Sequence, residues 1–145
     1  MNVTIAVAAP AAYDAFCRVE RIPEWLPHVQ VLEVVRRYPS GLAELARFEA
    51  TVEGTRRAYA LHYVYDVAGM RVAWKTPAEE PLLFRGDAQL VARGPARSEL
   101  TYTFFERGDG TSLHHAGPAP ERLAYGQRVA AAFKAWLETT GAAPG

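Results

Sequence analysis

The chain has 145 residues, 50% of them hydrophobic and 22% charged. That is enough to remove roughly 70% of the unfolded surface from water in one core, and too little for two cores with a linker. Sixteen Lys and Arg balance sixteen Asp and Glu, so no overall field draws the chain to DNA, RNA or anionic lipid. The single Cys17 excludes an internal disulfide. The N-terminal segment lacks the basic stretch and long apolar run of a cleaved signal, and no window nears the roughly 18 apolar residues that span a bilayer. One domain over residues 1–145, soluble and cytoplasmic, is the expectation.

Val3, Ile5 and Val7 alternate with Thr4 and Ala6 as a strand does, and Pro10 then suits a first helical turn. Tyr13, Phe16, Cys17 and Glu20 follow helical spacing up to Pro23, which is expected to end that helix before a short second one from Glu24 to His28. The β-branched run Val29–Tyr38, the turn Pro39-Ser40-Gly41 and the run Leu42–Glu53 read as a hairpin. Gly54 leads into a third strand of the series, Arg56–Val67, with Tyr59, Leu61, Tyr63 and Tyr65 on one face. Met70, Val72 and Trp74 alternate again, before a loop holding Glu79 and Glu80 between Pro77 and Pro81. Leu82–Ala92 and Arg97–Glu106 form a further hairpin around Arg93-Gly94-Pro95-Ala96. After Pro118 and Pro120, Leu123, Ala130, Phe133 and Leu137 share a helical face widened by Val129 and Trp136, up to Gly141. Gly126 costs that helix about 1 kcal/mol relative to Ala.

One strand, two short helices, six consecutive strands and a terminal amphipathic helix cannot make a parallel α/β sheet, which needs crossovers between strands. An α+β architecture follows, an antiparallel sheet of about seven strands. A twisted sheet of that width curls, and one helix across its concave side leaves a hollow.

Val7-Ala8-Ala9-Pro10-Ala11, Phe16, the run Val19-Glu20-Arg21-Ile22-Pro23-Glu24-Trp25-Leu26-Pro27 and Val31–Val35 together resemble the opening of the START-like, Bet v 1-like superfamily, in particular its bacterial polyketide cyclase/dehydrase and lipid-transport branch. Arg18 stands where such proteins commonly end the first helix on an acidic residue. The resemblance implies a helix-grip fold: a curved antiparallel sheet wrapped around the long C-terminal helix, with an apolar cavity between them.

In that frame Tyr59, Tyr63 and Tyr65 make one wall for a flat apolar ligand, Tyr102 and Phe104 the opposing wall, and Phe48 and Trp74 fill between. Phe133 and Trp136, with Leu137, cover the space from the helix. Ordinary core packing is the competing account of the same residues. Trp25, between prolines, either anchors the sheet's end or gates the cavity mouth, with the anchor preferred. If Phe48, Tyr63, Ala88 and Leu90 face inward, alternation sends Arg47, Glu49, His62, Arg85 and Asp87 to solvent.

His114-His115 lacks the further ligands zinc needs, so no metal is expected. Cys17 has no partner signature of a nucleophile, and neither a hydrolase elbow nor a nucleotide loop occurs, so no cofactor is expected. Binding or transport of a hydrophobic small molecule, such as a lipid, isoprenoid quinone or polyketide, is the first functional expectation. A polyketide aromatase/cyclase is the second, with Tyr63 or Tyr102 as the group that polarises a carbonyl. An interaction protein docking through the Trp25 region is the third.

Overall fold

A computed structural model describes residues 2–52, 54–77, 83–107 and 119–140. In chain order these form β1 (Asn2–Ile5), α1 (Ala9–Phe16), α2 (Ile22–Trp25), β2 (Val29–Arg37), β3 (Ala43–Val52), β4 (Thr55–Asp66), β5 (Arg71–Lys75), β6 (Leu83–Ala92), β7 (Ser98–Arg107) and α3 (Ala119–Thr140). The strands make one seven-stranded sheet in the order β1-β7-β6-β5-β4-β3-β2. Every pairing is antiparallel. The chain from β2 to β7 is therefore a meander, while β1 joins the far edge beside β7, so α1 and α2 carry the chain between the two edges.

Alternation decides which face is covered. Ala46, Phe48 and Ala50 on β3, Leu61 and Tyr63 on β4, Val72 and Trp74 on β5, Ala88 and Leu90 on β6, and Leu100 and Tyr102 on β7 are all buried. Their neighbours in the sequence face outward: Arg47, Arg71, Lys75 and Arg85 are exposed, and His62, Asp87 and Glu49 are partly so. The curved sheet turns its apolar face toward α3, whose Val129, Ala130, Phe133, Trp136 and Leu137 form a buried stripe at three- and four-residue spacing, with Gly126 buried at its head. This is the helix-grip arrangement that the resemblance of the opening residues implies.

Local details depart from the sequence expectation for identifiable reasons. The first helix ends at Phe16 and does not run on to Pro23. Its last turn tightens, with Arg18 N–H donating to the Ala15 carbonyl at 3.3 Å, and a 3-10 turn at Val19–Arg21 carries buried Val19 inward. Pro23 then lies in the first turn of α2, where its missing N–H leaves nothing unsatisfied. β1 stops at Ile5 and not at Val7, because the Ala6 N–H donates to the Glu138 carboxylate of α3 at 2.6 Å instead of to a neighbouring strand. Met70 belongs to the β4–β5 turn and not to β5: its φ is +52°, in the left-handed region that ends an extended run. The Glu79-Glu80 loop, His114-His115 and Gly141 lie outside the described residues.

Candidate ligand-binding site

The sheet's inner face carries a continuous aromatic surface built by cross-strand register. Phe48 lies opposite Tyr59 and Tyr63 opposite Trp74. The Phe48 and Tyr59 rings stack at 5.4 Å, Tyr63 stacks on Tyr65 at 6.0 Å, and Trp74 meets Tyr102 at 5.7 Å. The surface can stay flat at its centre because β6 offers Gly86 opposite Trp74. A Cβ there would stand 2.9 Å from the indole and 2.6 Å from the Thr103 carbonyl, so glycine is required for the Trp74 ring to lie across β6.

Between this surface and the helices is an apolar cavity of about 70 Å3. Phe48, Tyr59, Tyr63, Tyr65, Trp74 and Tyr102 all line it, as does Trp25. The space is smaller than the roughly 300–1,000 Å3 of ligand pockets in general, so a guest enters only as lining side chains move outward. Ile22, Leu26, Tyr59 and Tyr65 are the partly exposed members of the lining and mark where that movement costs least.

Three expected residues lie elsewhere. Phe133 and Trp136 pack behind the cavity wall: the Phe133 ring meets Phe16 at 5.0 Å and Trp25 at 5.1 Å edge-on, and Trp136 stacks on Trp25 at 6.5 Å. Phe104 packs beside Tyr102 at 6.1 Å, outside the cavity lining. Trp25 itself is 6% exposed, held between the cavity and this second aromatic cluster. The sequence reading passed over Phe16, Val19, Ile22, Leu26 and Val29 as lining residues. Their apolar spacing around Trp25 was the available signal.

The polar groups of this interior separate into used and unused donors. Tyr13 donates to the Arg71 carbonyl at 2.8 Å, Tyr38 to the Tyr63 carbonyl at 2.6 Å and Tyr65 to the Ala43 carbonyl at 2.7 Å. The Tyr63 hydroxyl has no hydrogen-bond partner among the described residues. Nor does the Trp25 indole N–H, which is buried. Burial, joined by the neighbouring Tyr59, Tyr65 and Tyr102, holds the Tyr63 phenol well above its ordinary pKa, so it stays a neutral donor. Burial likewise pushes the Cys17 thiol up to about 12, which leaves it neutral and unreactive at ordinary pH. Among the described residues no group of three or more His, Cys, Asp or Glu side chains is placed to hold a metal.

This sheet and helix arrangement is shared with solved structures. A START superfamily protein from Mycobacterium smegmatis superposes with a TM-score of 0.72 at 16% identity, over 97% of this chain and 93% of that one. The Zhui aromatase/cyclase from Streptomyces sp. R1128 gives 0.68 at 18% identity, over 97% and 95%. The di-domain aromatase/cyclase BexL of the BE-7585A biosynthetic pathway gives 0.70 at 19%, this chain covering 46% of its length. Residues 5–121 match the polyketide cyclase/dehydrase and lipid transport family, and the chain belongs to that family. No curated protein matches it in sequence. Among the described residues no helix is long and apolar enough to cross a membrane.

Proposed function

We propose that residues 1–145 act as one unit in the cytoplasm that binds a hydrophobic small molecule, a lipid, an isoprenoid quinone or a polyketide, between the concave face of the sheet and α3. Phe48, Tyr59, Tyr63, Tyr65, Trp74 and Tyr102 contact the guest, and Trp25 supports the opposite wall. The observation that carries this reading is an apolar, aromatic cavity with a neutral phenol that has no partner among the described residues: greasy walls supply affinity, and the Tyr63 hydroxyl orients a ligand oxygen. Native mass spectrometry of the purified chain tests it. A hydrophobic mass that co-purifies and is removed by organic solvent is the expected result; a chain that carries no such mass and takes up none from a panel of fatty acids, quinones and aromatic polyketides sinks the reading.

A catalytic reading rests on the same hydroxyl. Within the proposed pocket a poly-β-keto chain would be folded on itself, and the Tyr63 O–H would donate to a carbonyl oxygen as negative charge develops there during ring closure. Tyr102, the second sequence candidate, lines the same space. Product analysis with a poly-β-keto substrate decides: cyclisation that Tyr63→Phe and Tyr102→Phe both leave unchanged would remove these residues from the chemistry.

A further inference from the structure

The outer face of the sheet holds a second hollow, of about 520 Å3. Ala73 and Gly86 line it, with Val64, 55% exposed, alongside. Across it the register sets a row of basic side chains: His62 on β4 lies opposite Lys75 on β5, and Lys75 lies opposite Arg85 on β6. Directly opposed residues of an antiparallel pair stand about 5 Å apart at Cβ, and like charges so placed repel. Lys75 is exposed and has no ion-pair or hydrogen-bond partner among the described residues. The carboxylate that lines the same hollow, Asp87, is engaged by Arg71 and by the Thr103 hydroxyl. His62 reaches Glu44 through Nε2 at 3.6 Å, while its buried Nδ1 has no partner among the described residues.

On the outer face Arg71 pairs with Asp87, Arg47 with Glu33 and Arg93 with Glu99. Lys75, opposite Arg85, has no such match among the described residues, and it lines the hollow together with Ala73 and Gly86. We propose that this hollow binds an amphiphilic anion, a phosphate or carboxylate seated between Lys75 and Arg85 with its apolar body over Ala73 and Val64. The ammonium supplies a compact charge and the guanidinium a planar fork suited to two oxygens of one anion. The volume lies within the roughly 300–1,000 Å3 of small-molecule sites. The site is open, so its affinity falls as salt rises.

Titration of the 15N-labelled full chain with octyl phosphate, and separately with phosphatidylcholine vesicles containing phosphatidic acid, tests the proposal. Octyl phosphate is expected to give saturable shifts at the amides of Ala73, Lys75 and Arg85, and Lys75→Gln combined with Arg85→Gln to weaken binding at least tenfold. If only the vesicles bind, and the double variant releases them, the anion is a headgroup at a lipid surface; if octyl phosphate binds in solution, it is a free amphiphile. Shifts that do not saturate, that survive the double substitution, or that fall only on the cavity residues Leu61 and Val72 overturn it. A second readout needs no ligand: Lys75→Glu places a carboxylate opposite Arg85 and should raise Tm by about 2 °C, whereas a lower Tm removes the repulsion on which the site rests.

Discussion

The two faces of one sheet are built from the same strands and solve opposite problems. The inner face sets aromatic rings against each other between β3 and β4, between β4 and β5, and over the glycine of β6 from β5 to β7, and hides them under α3. The outer face is kept wet by charges, several of them paired. The inner face tolerates little change because removed volume leaves a void, while the outer face is held by interactions that water largely replaces. The proposed functions divide along the same line: shape and unpartnered donors inside, charge outside.

The largest expected effect is on the inner side. Phe133→Ala, at a fully buried position behind the cavity wall, should lower unfolding free energy by about 3–5 kcal/mol in denaturant titrations. A loss below about 1 kcal/mol would mean that α3 is not gripped as described. Gly86→Ala should cost about 1–3 kcal/mol, because the new methyl meets the Thr103 backbone and the Trp74 ring; an unchanged Tm would refute that close approach.

High pH should separate the faces next. The Cys17 thiol, with an ordinary value of 9.0, is raised to about 12 by burial, and the Tyr63 phenol is raised too. A group raised on folding contributes stability that is complete below its unfolded pKa and is lost as pH climbs toward the folded one. Stability should therefore decline from about pH 9 upward, and Cys17→Ala should flatten the first part of that decline; an identical alkaline slope in the variant would contradict the thiol's share.

A smaller contrast distinguishes two neighbouring phenols. Tyr65→Phe should cost about 1 kcal/mol, since it strips a bond from the Ala43 carbonyl. Tyr63→Phe should leave stability nearly unchanged while weakening guest binding, because that hydroxyl has no partner among the described residues to lose. The reverse order in thermal melts would exchange their roles. The least effect belongs outside: Asp87→Asn breaks a contact with Arg71 whose side chains are 27% and 55% exposed, and should cost under about 1 kcal/mol in the same melts.

Much of this was readable before any coordinates, because a strand's period of two writes its buried face into the sequence. Phe48 between Arg47 and Glu49 shows the pattern plainly, while Tyr63 between His62 and the exposed Val64 shows it on one side only. The element order was equally legible from Pro and Gly punctuation. What could not be read depends on contacts between distant residues. The break after Phe16 follows Val19 into the core, and the early end of β1 depends on Glu138 more than a hundred residues away. The placing of Phe133 and Trp136 behind Trp25, not over the cavity, depends on how α3 lies across the sheet. The Lys75–Arg85 opposition exists only once β5 and β6 are in register, since neither strand carries it alone.

Trp74 lines both hollows, its indole against the cavity and over the residue without a side chain on β6. That indole gives the chain a native optical reporter: its emission registers a change in polarity in the cavity without any attached dye.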